Sequence, residues 1–120
     1  MSNEVSNGNF IRQEKTKDYT ILNNQMYKVT NMSLAAKGLL STMLQLPPDW
    51  KFSLNGLTGL CKDSETIVRK ALNELMDLGY VTREKKLPSK KNGGRYQMIY
   101  TIREKSESDK LVIKNSNESD

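Results

Sequence analysis

Residues 62–95 constrain the fold of this chain most, because a helical pattern is followed directly by a strand, turn and strand pattern. Within residues 62–78, apolar residues recur at the spacing of one helix face, with Val68 at its centre. That face contains Val68, Ala71, Leu72 and Leu75, with Ile67 and Met76 at its margins. The spacing predicts a helix that packs one side on a core and turns the other side to solvent.

The other side of this predicted helix is polar and largely cationic. It contains Lys62, Thr66, Arg69, Lys70 and Asn73, and Ser64 stands where an N-cap is expected. Lys and Arg reach phosphates or guanine edges, and Asn can pair bidentately with adenine, so these residues suit the reading of a DNA groove. Glu65, Glu74 and Asp77 make the face mixed. Taken alone, the helix is therefore equally compatible with an ordinary solvated surface.

The segment that follows favours the DNA interpretation. Residues 81–87 and 96–102 are rich in β-branched and aromatic residues, and the second run alternates Tyr96, Met98, Tyr100 and Ile102 with Gln97, Ile99 and Thr101. Pro88-Ser89 and Gly93-Gly94 supply the backbone angles of a turn, so we expect a two-stranded wing. Its cations, expected to contact a phosphate backbone, are Arg83, Lys85, Lys86, Lys90, Lys91 and Arg95.

Serine N-caps and prolines divide the rest of the chain into helices. Ser33 is expected to cap a first helix that Pro47 ends, and Ser53 to cap a second helix over residues 54–61, with Leu54, Leu57 and Leu60 inward. Trp50 and Phe52 are expected to be core or sheet-packing aromatics rather than base-stacking residues. The order helix, helix, turn, helix, strand, strand predicts an α+β winged helix-turn-helix, with three helices and a two- or three-stranded antiparallel wing sheet. Its third helix is the expected recognition helix.

The predicted domain spans residues 10–103. Residues 1–9 and 104–120 are polar and are expected to be disordered tails. Residues 111–113 (Leu-Val-Ile) could form a short docking segment, although a frayed end is favoured. Residues 10–12 and 19–22 are expected to be extended, and the first of these could pair with the wing sheet as a third strand.

Composition narrows the function classes. A net charge of +5 and a pI near 9.3 favour an acidic partner, with nucleic acid first, and no basic amphipathic helix suggests a membrane. Cys61 is the single cysteine and there is no histidine, which excludes disulfide frameworks, Cys/His zinc sites and histidine-based catalysis. Cys61 is expected to be a small packing residue. We expect no enzyme activity, no metal and no cofactor, and, without a secretory signal, a cytoplasmic location.

Several strings resemble a known family. They are Leu-Ala-Ala-Lys-Gly-Leu-Leu at 34–40, Leu-Pro-Pro-Asp-Trp at 46–50, Ser-Leu-Asn-Gly-Leu at 53–57, Ala-Leu-Asn-Glu-Leu at 71–75 and Leu-Gly-Tyr-Val at 78–81. Over residues 8–103 the chain resembles the helix-turn-helix domain of plasmid and phage replication initiator and replisome-organiser proteins, which is related to the amino-terminal domain of DnaD-like primosomal proteins. The resemblance implies a domain that recognises origin DNA or helps to assemble the replication machinery.

The sequence thus predicts a duplex-DNA-binding protein of replication-initiator type, acting in plasmid, phage or mobile-element replication. A transcriptional regulator that uses the same surface is the first alternative. The second is a protein-interaction or oligomerisation module of a primosome. The expected partners are double-stranded DNA and, in the replication setting, replication proteins or a second copy of this chain. An interaction face should be apolar, whereas the predicted wing tip is cationic.

Overall fold

The computed structural model describes residues 12–14, 17–47, 50 and 52–114, and over these residues the protein is α+β. The described residues form four α-helices, a two-stranded antiparallel sheet and one short 3₁₀ turn. In chain order these are α1 (Gln25–Lys28), α2 (Leu34–Leu44), α3 (Leu54–Thr58), α4 (Glu65–Asp77), β1 (Val81–Lys86), the 3₁₀ turn (Lys90–Asn92) and β2 (Gln97–Ile102).

Serine side chains start the three longer helices, as predicted. The hydroxyl oxygens of Ser33, Ser53 and Ser64 accept hydrogen bonds from backbone N–H groups three residues later, in α2, α3 and α4 respectively. Each bond satisfies one of the N–H groups that the first turn of a helix leaves without an intrahelical partner. The three caps therefore fix where the helices begin, and all three positions are confirmed.

A glycine ends α4. Gly79 has φ +83°, and its N–H bonds to the carbonyl of Met76 while the N–H of Tyr80 bonds to the carbonyl of Leu75. This pair of bonds is a Schellman motif. The motif needs one residue in the left-handed conformation, which glycine adopts without strain. After Gly79 the chain changes direction, so Tyr80 is buried in the core and β1 begins at Val81 and packs against α4.

The core forms where α4 packs on α2, α3 and β1. The predicted inward face of α4 is buried, with Leu75 fully enclosed and Ile67 left 45% exposed at its margin. The other buried apolar residues are Met26, Val29, Met32, Ala36, Leu39, Leu40, Met43, Leu57, Leu78, Tyr80 and Val81. Trp50 and Phe52 pack at the edge of this core, as expected. Burial also raises the pKa of the Tyr80 phenol above its ordinary value.

The hairpin matches the prediction closely. β1 and β2 pair in a register that sets Val81 opposite Ile102 at the base and Lys86 opposite Gln97 near the tip. Gly93 and Gly94 have φ of +69° and +73°, and the N–H of Gly94 bonds to the carbonyl of Ser89 at 2.8 Å. In the described residues the sheet has two strands, and Tyr19–Leu22 is not one of its strands. Phe10 and Ile11, the proposed third strand, lie outside the described residues.

Two helix predictions were wrong. The structure has four helices rather than three, because the single turn of α1 is too short to show a helical period in the sequence. α3 ends at Thr58 rather than at residue 61, since Gly56 and Gly59 disfavour a longer helix. Leu60 is consequently 44% exposed instead of inward, and Cys61 is exposed instead of packed.

The expectation of a disordered carboxy-terminal tail is wrong for residues 104–114. Ser106 is buried, and its hydroxyl donates to the carbonyl of Leu78 at 2.7 Å. Leu111 packs against the core, and Ile113 forms an antiparallel bridge with Val29. The prediction was wrong because it took the polar residues of this segment to be solvated. In the structure the Ser106 side chain instead forms a hydrogen bond with a backbone group of the domain. We call residues 104–114 the strap. The rest of the predicted tails, residues 1–9 and 115–120, lies outside the described residues.

Candidate nucleic-acid interface

Every residue predicted to contact DNA is exposed, and together these residues occupy α4, its approach and the hairpin. Lys62 and Ser64 precede α4, and Thr66, Arg69, Lys70 and Asn73 lie along it. Arg83, Lys85 and Lys86 are on β1, Lys90 and Lys91 are in the 3₁₀ turn, and Arg95 precedes β2. The structure therefore exposes all of these cations, on α4, on its approach and on the hairpin.

Three of these residues meet at one cleft. Arg69 and Asn73 from α4 and Arg83 from β1 line a depression of about 420 Å³ between α4 and the hairpin, which we call the α4–hairpin cleft. The other side chains that matter for its chemistry are Phe52, Met76, Tyr96, Met98 and Tyr100. In the part of the chain that the structure describes, neither the Asn73 nor the Arg83 side chain has a hydrogen-bond partner. Both are therefore available to a ligand.

Arg69 is held in place by its own helix. Its Nη2 lies 2.5 Å from Oε2 of Glu65, one turn earlier, and both side chains are about half exposed, at 57% and 50%. Pairs at this spacing on an exposed surface contribute only about 0.3–0.5 kcal/mol to stability. Glu65 thus orients the guanidinium while competing only weakly with an incoming anion.

The remaining α4 residues are placed differently. Lys70 lies on the opposite flank of α4, in a second cleft that it shares with Ala35, Ile67 and Glu74. The Ser64 hydroxyl is occupied as the cap of α4, where it accepts from the N–H of Ile67. The Ser64 hydroxyl therefore stabilises the start of α4, and a DNA contact at Ser64 would have to form while this hydroxyl still accepts the bond from Ile67.

The hairpin presents its cations on two faces. The register sets Arg83 opposite Tyr100 and Lys85 opposite Met98, so these four side chains share the face that lines the cleft. Lys86 follows on the other face. The ammonium of Lys85 lies 4.2 Å from the centre of the Tyr96 ring, a distance at which the ring quadrupole attracts a cation. The tip then adds Lys90, Lys91 and Arg95, all exposed.

The acids that made α4 look mixed in the sequence have partners within the protein. Glu74 accepts hydrogen bonds from both the backbone N–H and the hydroxyl of Ser33, at 2.5 and 2.7 Å. Asp77 pairs with Lys110 of the strap at 2.9 Å, and Glu65 pairs with Arg69. Glu74 thus contacts the start of α2, Asp77 contacts the strap and Glu65 contacts its neighbour on α4. None of the three lines the α4–hairpin cleft.

Tyr96 and Met98 are site residues that the sequence did not reveal. Their alternation with Tyr100 and Ile102 predicted a strand of the hairpin but not which of these side chains are covered, and in the structure Tyr100 and Ile102 pack against the core. Tyr96 and Met98 are instead 62% and 48% exposed, because the hairpin extends past the part of the sheet that the helices cover. The sequence feature that could have indicated their exposure is their position directly after the cationic turn.

The described residues meet neither the requirements of a metal site nor those of a membrane-spanning helix. Residues 12–14, 17–47, 50 and 52–114 contain no group of His, Cys, Asp and Glu side chains that could hold a metal ion. Over the same ranges, each helix is too short and too polar to cross a bilayer. Comparisons with protein-family models, with curated proteins and with solved structures found no match to this chain.

Proposed function

We propose that this protein binds duplex DNA as a winged helix-turn-helix domain, with α4 as the recognition helix and the β1–β2 hairpin as the wing. The observation that carries the proposal is the meeting of Arg69, Asn73 and Arg83 at one cleft. Arg and Asn are the side chains that most often contact the edges of guanine and adenine. Here Arg69, Asn73 and Arg83 are exposed, and the hairpin that contains Arg83 continues into the cationic turn.

The order and packing of the elements support this proposal. α3 packs on α4, and residues 59–64 link them, as in a helix-turn-helix unit. α4 buries one side completely and leaves the polar side free, which a helix must do to enter a major groove. The hairpin follows at once, so its cations lie where a neighbouring phosphate backbone would pass. α1 and the strap are additions outside this unit.

The charge of the surface supports a polyanionic partner. From Arg83 to Arg95 the hairpin has six Lys or Arg residues and one acid, Glu84. Glu84 stands opposite Ile99, on the face of the sheet that is turned away from the cleft. The cleft side of the hairpin therefore presents cations and no carboxylate of the hairpin itself, which suits contact with phosphates.

The replication role rests on the resemblance of residues 34–40 and 46–50 to replication initiator and replisome-organiser proteins. A transcriptional regulator would use the same surface, so the two roles differ in the DNA that is bound rather than in the site. Mapping the bound fragments across a host genome, its plasmids and its prophages distinguishes them. Enrichment at replication origins supports the initiator role, and enrichment at promoters supports the regulator.

The binding mode is tested with a duplex selected from a random-sequence pool and a scrambled duplex of equal length. Arg69→Ala and Asn73→Ala should each weaken binding to the selected duplex by about 1–3 kcal/mol and change the scrambled duplex little. Lys90→Ala, Lys91→Ala and Arg95→Ala should weaken both duplexes alike. Lys105→Ala, on the strap beyond the base of the sheet, is the matched control. Equal losses on both duplexes for Arg69→Ala and Asn73→Ala would show that α4 does not read the sequence.

Self-association is a second candidate, and one observation favours it. Leu34 is 86% exposed at the start of α2, and Ile67 is 45% exposed beside Ala35 in the second cleft of α4. Large exposed apolar side chains are typical of protein interfaces when they belong to one patch. This surface is separate from the α4–hairpin cleft, so a dimer could form while DNA is bound. Sedimentation equilibrium, with and without DNA, measures whether it does.

A further inference from the structure

We propose that the α4–hairpin cleft binds one unpaired nucleotide of a DNA strand, at a junction between duplex and single-stranded DNA. The proposal deepens the proposed function and rests on it, because the duplex part of the junction would lie on α4. The cleft itself is the new site. It is assigned to a nucleobase and its phosphate by three independent properties of its lining: exposed π surface, planar polar groups of which two have no partner in the described residues, and two arginines with no carboxylate among the lining residues.

The π surface is the first property. Tyr96, which directly precedes β2, and Met98 and Tyr100 within β2 all line the cleft. Tyr100 is stacked on Phe52, with ring centres 4.0 Å apart and planes at 18°, so this end of the cleft is a built aromatic wall. Tyr96 is 62% exposed and has no part in the core. Bases stack on such rings, and each stack contributes about 1–3 kcal/mol to single-strand binding.

Tyr96 is also oriented for this task. The Lys85 ammonium lies over one face of its ring at 4.2 Å, and with 62% of the Tyr96 residue exposed we place the base on the other face. The same ammonium places a positive charge next to the stacking position, where the phosphate of a stacked nucleotide could lie. A ring held in this way loses less conformational freedom on binding than a mobile surface tyrosine would.

The polar lining is the second property. The amide of Asn73 and the guanidinium groups of Arg69 and Arg83 are planar groups that can pair with the edge of a base. The Asn73 and Arg83 side chains have no hydrogen-bond partner within the described residues. In a duplex the Watson–Crick edge of a base is hidden, whereas an unpaired base offers it. An unpaired base could therefore bind these groups through its Watson–Crick edge, whereas a paired base offers them only its groove edges.

Charge and size are the third property. Among the described residues that line the cleft there are two arginines and no carboxylate. Glu65 pairs with Arg69 at the edge of the cleft, so Arg83 is the cation of the lining that favours an anion such as a nucleotide phosphate. A volume of about 420 Å³ lies in the range of sites for small ligands, roughly 300–1,000 Å³, and admits one nucleotide. Because Arg69 and Asn73 lie on α4 and also line the cleft, a duplex held on α4 would lie next to the cleft.

The test compares a blunt duplex with the same duplex carrying a short single-stranded overhang, with 2-aminopurine as the first unpaired base. The wild-type protein should bind the overhang form about 5- to 100-fold more tightly and should quench the 2-aminopurine fluorescence. Tyr96→Ala should reduce the ratio of the two affinities to about one and abolish the quenching. Tyr96→Phe, which keeps the ring, should retain both effects. Ile99→Ala, on the opposite face of β2, is the matched control and should behave as wild type.

The outcomes separate this proposal from the one on which it rests. Equal wild-type affinity for the two forms, with clear binding of both, would overturn the nucleotide site and leave duplex binding intact. A Tyr96→Phe variant that behaves like Tyr96→Ala would also overturn it, because stacking would not be the interaction. Absence of binding to either form would overturn both proposals.

Discussion

Arg69 and Glu65 form an ion pair at 2.5 Å on the exposed side of α4, at the edge of the cleft where Arg69 meets Asn73 and Arg83. The pair couples the proposed reading residue to a carboxylate that repels DNA. Because both side chains are about half exposed, solvent screens the pair and its contribution to stability is small. Its effect should therefore be visible in DNA affinity rather than in folding.

Replacing Glu65 tests this coupling. Glu65→Gln should strengthen duplex binding by up to about fivefold, because it frees Arg69 and removes a negative charge beside the phosphates. It should lower the free energy of unfolding by less than about 1 kcal/mol, through the lost attraction between the carboxylate and the start of the helix. Binding can be measured by fluorescence anisotropy and stability by thermal melting.

Two controls make the result specific. Glu107→Gln removes the same charge from the strap and should leave affinity nearly unchanged. In an Arg69→Ala background, Glu65→Gln should lose most of its effect. A gain that is equal in Glu107→Gln, or that persists without Arg69, would mean that only the net charge matters.

The strap gives a prediction about stability. Ser106→Ala removes the hydroxyl that donates to the carbonyl of Leu78 and accepts from the N–H of Ser108. Since Ser106 is 3% exposed, water cannot replace these bonds, and the free energy of unfolding should fall by about 1–3 kcal/mol. Glu107→Ala, on an exposed neighbour, should change it by less than about 0.5 kcal/mol. If chemical denaturation shows the two variants to be equally stable, the strap is not part of the folded domain.

Tyr80 gives a prediction about pH. Its phenol is fully buried and donates to Oε1 of Gln25 at 2.5 Å, and burial raises its pKa above the ordinary 10.0. Above pH 10 the unfolded chain releases this proton while the folded protein keeps it. The free energy of unfolding should then fall with pH, by at most about 1.4 kcal/mol per pH unit from this group, whereas below pH 10 Tyr80 contributes no pH dependence.

Tyr80→Phe is the matched control, because it keeps the ring and every other ionisable group. Urea denaturation between about pH 8 and 11 should give a less steep decrease for the variant than for the wild type. The variant should also be less stable by about 1 kcal/mol at neutral pH, because the hydrogen bond to Gln25 is lost. Parallel curves for the two proteins would show that the Tyr80 phenol ionises equally in both states.

The parts of the fold that the sequence predicted are those governed by local rules. The caps at Ser33, Ser53 and Ser64 follow from hydroxyl chemistry, and the buried face of α4 follows from periodicity. The turn at Gly93 and Gly94 follows from the freedom of glycine to adopt positive φ. Each of these features depends on a few neighbouring residues, so the sequence alone was sufficient.

The parts that it missed depend on contacts between residues distant in sequence. Ser106 is ordered by Gln25 and Leu78, and no local pattern in a polar segment indicates such partners. Whether Tyr96 is core or surface depends on how far the helices cover the sheet. The exposed cations of the candidate site were predicted individually, but their arrangement was not: Arg69 and Asn73 face the hairpin, whereas Lys70 lies on the opposite flank of α4.

The salt dependence of duplex binding tests the central claim most directly. If four to six cations of α4 and the hairpin contact phosphates, a plot of log affinity against log salt should have a slope of about −4 to −5, since each contact contributes about −0.9. Lys90→Ala should make the slope less steep by about one unit, and Lys105→Ala should not change it. A duplex affinity that does not respond to salt, or no duplex binding at about 50 mM salt, would contradict the assignment of this surface to DNA.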